Sequence, residues 1–122
     1  MIKVLNPAIK VYVAGPYSKG DIAVNVRNAI QVGEKIASFG MIPYIPHLTH
    51  FWHLLHSHPV DYWYRYDFHW LDVCDCLLRL PGESHGADEE MKRMVENHRM
   101  VFLDTESLVD WYVTKCCKEV DD

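Results

Sequence analysis

The chain has 122 residues, 49% hydrophobic and 24% charged, with a formal net charge of −5. That length holds one domain with its own core and not two, so residues 1–122 are read as a single domain. The acidic balance excludes a nucleic acid polymer gripped through its phosphates, and no run approaches the roughly 18 apolar residues of a membrane span.

The N-terminal stretch MIKVLNPAIK carries no signal-peptide apolar region, so a cytoplasmic protein without a membrane partner is expected. AIKVYVAG (8–15) alternates and then runs apolar into Gly-Pro, the pattern of a buried strand ending in a turn. In 21–40, Ile22, Val26, Ala29, Ile30, Gly33 and Ala37 form a helical stripe, with Asp21 as N-cap and Gly40 as stop. MIPYIP (41–46) is a second strand, which Pro43 confines to a sheet edge. An aromatic and histidine-rich segment then leads into a helix from about Val60 to Cys74. CLLRL (76–80) is a third strand, followed by a helix after Ser84, a strand MVFL (100–103) and a last helix from Glu106 to Cys117. Strands alternating with helices define βαβ units and right-handed crossovers. The expectation is an α/β fold: a small, doubly wound, flavodoxin-like or Rossmann-like parallel sheet of four to five strands flanked by helices. In such sheets ligands bind at the carboxyl ends of the strands, so the turns GPYSKGD and PGESHGAD should share one cleft.

Two carboxylates stand out by position. At 100° per residue from Ala87, a helix gathers Ala87, Met91, Met94, Val95 and His98 on one face. Glu90 falls at the margin of that face and Glu89 on the opposite side, toward water. Helix-dipole complementarity accounts for Glu89 fully and for Glu90 only in part. In VDYWYRYDFHWLDVC (60–74), Val60, Trp63, Tyr66, Trp70, Leu71 and Cys74 form the apolar face, and Asp67 lies in its middle. A carboxylate there must be paired, metal-bound or protonated, which makes Asp67 a candidate general acid; an Asp capping a neighbouring turn is the structural alternative. One partly exposed carboxylate and one buried acid is an arrangement used to cleave glycosidic bonds.

The histidines and cysteines point less sharply. His47, His50, His53 and His56 recur every third residue, a period that drifts around a 3.6-residue helix, so all four cannot converge on a metal. Packing or contact with a substrate base, by the aromatic and histidine side chains of 47–66, is the preferred reading over a metal site. Cys74 with Cys76, and Cys116 with Cys117, lack the C-x-x-C spacing of zinc or redox sites, and free, inert thiols are expected.

The stretch DFHWLDVCDCLLRLPGESHGADEEM resembles the nucleoside 2-deoxyribosyltransferase superfamily, including the 2′-deoxynucleoside 5′-phosphate N-hydrolases. Asp67, Trp70, Leu71 and Asp75 stand at that family's spacings, with Cys74 in place of an alanine. Ser84, Gly86 and Glu90 match its Ser-x-Gly turn and the glutamate six residues after the serine. YVAGPYS resembles the first-strand turn of the transferases, and Tyr12 matches the hydrolases' active-site tyrosine. The likeness spans residues 9 to 103 in continuous order.

The resemblance implies cleavage of an N-glycosidic bond of a nucleoside or nucleoside 5′-monophosphate, with transfer to water or another base. Glu90 would be the nucleophile, Asp67 would protonate or orient the leaving base, and Tyr12 would bond the nucleophile or the sugar. Gly15, Pro16, Tyr17, Ser18, Lys19, His47, Ser84 and Gly86 would contact the substrate. Ser84 is equally well a plain N-cap, and Gly15 a plain strand-to-turn glycine. The hydrolases' phosphate turn carries an arginine where this chain has Pro16-Tyr17-Ser18 followed by Lys19. The donors of Ser18, Lys19, Ser84 and the helix N-terminus nonetheless incline the reading toward a monophosphate. No metal or organic cofactor is called for. A homodimer or higher homo-oligomer is expected, both from the family and from Tyr62, Tyr64 and Phe68 outside the core face of their helix. Rival readings are a non-catalytic module binding a nucleotide derivative on the same fold, and a histidine-based metal-dependent hydrolase.

Overall fold

Apolar runs long enough to be covered on both sides dictate the centre of the molecule. In the computed structural model, which describes residues 8–117, strand β1 (Lys10–Ala14) is buried from Val11 onward. It sits inside a sheet with β2 (Ile42–Tyr44), β3 (Cys76–Arg79) and β4 (Met100–Phe102). Among the described residues the strand order is β2-β1-β3-β4 and every pairing is parallel. The helices are α1 (Ile22–Ser38), α2 (Thr49–Leu55), α3 (Val60–Leu71), α4 (His85–Glu96) and α5 (Thr105–Cys117).

Strand alternation divides the core. Val11, Val13, Cys76, Leu78 and Phe102 pack against Ala29 and Ile36 of α1 and Leu108 of α5. Tyr12, Ala14 and Leu77 face the other way, toward Leu71 of α3 and Ala87 and Met94 of α4. Helices therefore cover both faces, which is the doubly wound α/β arrangement. The chain reverses direction in the sheet between β1 and β3, and the turns after those two strands flank that switch point.

Local chemistry sets the boundaries. Asp21 caps α1 by accepting from the Val24 N–H at 3.2 Å, and Gly40 at φ +100° ends that helix where a side chain would be strained. Pro43 is tolerated because β2 is an edge strand. The histidine-rich segment is itself helical, a 3₁₀ turn at Pro46–Leu48 running into α2. Helix α3 ends at Leu71 rather than Cys74, since the Cys74 N–H bonds the Leu71 carbonyl at 3.1 Å in a tight turn.

Two side chains assigned to the apolar face of α4 lie elsewhere. Val95 is 58% exposed, and His98 adopts φ 59° in the exposed turn into β4. On α3, Val60 is 63% exposed, because the first turn of that helix overhangs the strand ends instead of the sheet. Cys74 and Cys76 are free and buried, and burial pushes their thiols up to about 11 and 12, leaving them poor nucleophiles. The side chains of Cys116 and Cys117 lie outside the described residues. No helix among the described residues is long and apolar enough to cross a membrane.

Candidate active site at the strand carboxyl ends

A cavity of about 470 Å³ opens at the carboxyl ends of β1 and β3. The β1 turn supplies Gly15, Tyr17, Ser18 and Lys19 to its wall, and the β3 turn with the start of α4 supplies Glu83 to Ala87 and Glu90. Helix α3 adds Trp63, Tyr64 and Asp67; His47, His53 and His58 come from the segment before it. The two turns thus share one cleft.

Glu90 is partly buried and Glu89 exposed, as the helical period requires. The hydroxyl of Tyr12, itself fully buried, donates to Oε2 of Glu90 at 2.6 Å. Tyr12 does not line the cavity; it acts on the site through Glu90. One strand away, Tyr44 stands opposite Tyr12 in the β1–β2 register, and its hydroxyl donates to Oδ1 of Asp67 at 3.2 Å. Each carboxyl therefore has a tyrosine behind it, and the two rings lie 5.4 Å apart.

Burial dominates the electrostatics. It pushes Asp67 up to about 7 against the opposing Tyr44 hydrogen bond. It pushes Glu90 up to about 8, with the charge of Asp67 adding to the effect and the Tyr12 bond and Arg79 opposing it. Two buried carboxyls that repel one another hold a proton between them near neutral pH. Tyr12 is raised well above its ordinary value by burial and then by Glu90, so it remains a donor.

The turns are held by bonds that the sequence patterns do not announce. The Asn25 amide, from α1, donates to the carbonyls of Tyr17 and Lys19, each at 2.8 Å. Arg79 reaches the carbonyl of Gly82 at 3.1 Å and the carboxylate of Asp88 at 2.8 Å. It thereby fixes the β3 turn and is spent on it. Gly15 has a packing reason, since a Cβ there would come within 2.9 Å of Leu80. Gly86 lines the cavity beside Tyr64, where a Cβ would make only ordinary contact at 3.5 Å. Pro16 does not reach the cavity. Its ring lies against Gly82 and its carbonyl accepts from Nε2 of His47 at 2.9 Å. Ser84 caps α4, accepting from the Ala87 N–H at 3.1 Å, and also lines the cavity.

The histidines go to separate partners. His50 Nδ1 bonds the Tyr17 hydroxyl at 2.6 Å, and His53 Nδ1 accepts from the Trp63 indole at 2.9 Å. Among the described residues no group of three or more His, Cys, Asp or Glu side chains could hold a metal ion. Lys19 lies 3.6 Å from the Glu83 carboxylate, both side chains being exposed at the cavity mouth. Sequence reasoning did not single out Tyr44, Arg79, Asn25 or Glu83. Of these only Glu83 had a signal, its place in the PGESHGAD turn expected to line the cleft; Tyr44 lies on the second strand, whose neighbour the sequence does not name.

Fold and cavity together define a doubly wound α/β domain with paired, tyrosine-backed carboxyls at its switch point. The chain belongs to the family described as Domain of unknown function (DUF7768), which matches residues 9–103. That span runs from just before β1 to just past β4 and includes every cavity residue. No curated protein matches the sequence.

Proposed function

We propose that the protein cleaves the N-glycosidic bond of a nucleoside or nucleoside 5′-monophosphate. The observation that carries the reading is the pair of carboxyls in one cavity, Glu90 bonded at 2.6 Å by a buried tyrosine and Asp67 displaced to about 7. With one proton between them, the competent form has Glu90 ionised and Asp67 protonated. In the resting pair the proton sits mainly on Glu90, displaced to about 8 against about 7 for Asp67, so the competent form is the minor one, and the 2.6 Å Tyr12 bond lowers the cost of reaching it. Glu90 attacks C1′ as the carbon–nitrogen bond breaks, and Asp67 gives its proton to the departing base. Water or a second base then attacks the glycosyl ester, with the Asp67 carboxylate as general base.

Trp63, Tyr64, His53 and His58 supply aromatic surface for the base. Ser18, Lys19 and the N-terminus of α4 supply donors for the 5′ end of the sugar. Glu83 bears on the choice of substrate: a phosphate on Lys19 must displace or neutralise the carboxylate already there. That pair favours a free nucleoside more than the sequence does. Incubation with a panel of nucleosides and their monophosphates, followed by chromatography for free base, tests the proposal. Intact-protein mass spectrometry on rapidly quenched samples should find the glycosyl adduct, absent in Glu90→Gln. Saturable binding of nucleosides with no base release across the panel would replace the enzyme by a binding module.

A further inference from the structure

The second tyrosine has a task of its own. Tyr44 does not line the cavity, yet its hydroxyl reaches Asp67, which does. Its ring is clamped between Tyr12 at 5.4 Å and Trp70, stacked at 5.7 Å and 18°. The edge strand that carries it is in register with β1 at Tyr12. The hydroxyl therefore has a fixed origin, and it engages one named oxygen of Asp67. The Asp67 carboxyl receives no other hydrogen bond among the described residues.

We propose that Tyr44 is the positioning residue for Asp67: by occupying Oδ1 it leaves Oδ2 as the oxygen that carries the proton and delivers it to the leaving base. This rests on the glycosidic reading above and assigns how its acid is aimed. An unheld carboxyl rotates about its terminal torsion and offers either oxygen. A carboxyl whose Oδ1 accepts from Tyr44 protonates on Oδ2, because an oxygen already receiving a hydrogen bond is the weaker base. On cleavage the Oδ2–H bond breaks, the proton joins a base nitrogen, and the C1′–N electron pair leaves with the base. Asp67, now ionised, keeps its Tyr44 bond and takes a proton from the incoming water. The titratable groups around the Tyr44–Asp67 pair are Tyr12 on β1, Tyr66 on α3, Cys74 after it and Glu90 on α4.

Tyr44→Phe keeps the ring and both aromatic contacts while deleting the donor. Carboxyl-carbon NMR should then find the Asp67 titration moved upward by roughly one pH unit, the effect of losing a hydrogen bond to the charged form. In turnover, kcat should fall roughly tenfold with KM little changed, and the alkaline limb of kcat/KM should move up with Asp67. An N7-methylated purine nucleoside, whose base leaves without needing a proton, should be cleaved at the wild-type rate. Should the variant not fold, site-specific 2,3-difluorotyrosine at position 44, a stronger donor, should move the Asp67 titration down instead. An Asp67 titration unmoved in either protein overturns the proposal, as does equal slowing of the methylated and ordinary substrates. If the wild-type protein releases no base from any substrate, the glycosidic reading fails and Tyr44 has no proton delivery to aim. An intact NMR response would then leave only a structural bond.

Discussion

The pH dependence of stability gives the sharpest check on the carboxyl pair, through Glu90→Gln. Burial displaces Glu90 from an ordinary 4.5 to about 8 in the folded protein. Each pH unit of displacement is worth about 1.4 kcal/mol. Ionising Glu90 in the fold thus costs roughly 3–5 kcal/mol more than in the unfolded chain, the lower figure allowing for what belongs to Asp67. Between pH 4.5 and 8 the native state holds a proton that the unfolded chain has released, so unfolding sheds it. Wild-type stability is accordingly highest at the acid end of that window and falls as pH rises through it. Glutamine is uncharged, nearly isosteric, and can still accept from Tyr12. Urea denaturation of both proteins at intervals from pH 5 to 9 measures the difference. The variant should gain on wild type by that roughly 3–5 kcal/mol over the range, becoming the more stable protein at the alkaline end. Asp67, displaced to about 7, contributes its own slope in both. Parallel curves would refute the buried, proton-holding Glu90 and the pairing built on it.

The same variant should lose base release by a factor on the order of 10³ or more, while Glu89→Gln, on the exposed side of α4, keeps most of it; a reversal would overturn the choice of nucleophile. Because turnover needs the pair singly ionised, kcat/KM should trace a narrow bell with limbs near 7 and 8, read by steady-state assay across pH. If a 5′-phosphate is recognised at the Lys19–Glu83 pair, Glu83→Gln should lower KM for the monophosphate several-fold and Lys19→Ala should raise it, neither changing cleavage of the free nucleoside; identical kinetics in both variants would remove phosphate from the site. Light scattering at micromolar protein should give a dimer or larger, since Phe51, Leu54 and Leu55 stand 55%, 65% and 81% exposed along one short helix; a strict monomer would contradict this.

What the sequence determined by itself is local and periodic. The strand–helix alternation carried the parallel, doubly wound sheet; Asp21 and Ser84 announced two helix starts; Pro43 put β2 at an edge. The 100° rotation per residue separated Glu90 from Glu89 and drew Asp67 inward, because a period states which side of an element faces protein. It does not state which protein. The Tyr12–Glu90 bond joins residues 78 positions apart, and the Tyr44–Asp67 bond exists only because β2 lies beside β1 in a register that places Tyr44 opposite Tyr12. Strand register is a property of the assembled sheet, absent from either strand alone. The same limit misplaced Val60, Trp70, Ile30, Ala37 and Val95: a helical wheel assumes one flat partner as wide as the apolar stripe, whereas α3 overhangs the cavity and the covered faces are narrower than the stripes, Met94 being 1% exposed beside Val95 at 58%. It also left the histidines' partners and the Lys19–Glu83 pair unread, since contacts between turns depend on where the sheet brings those turns together. The chemistry of this protein was legible as two carboxyls facing inward, and only the tertiary fold put a tyrosine behind each.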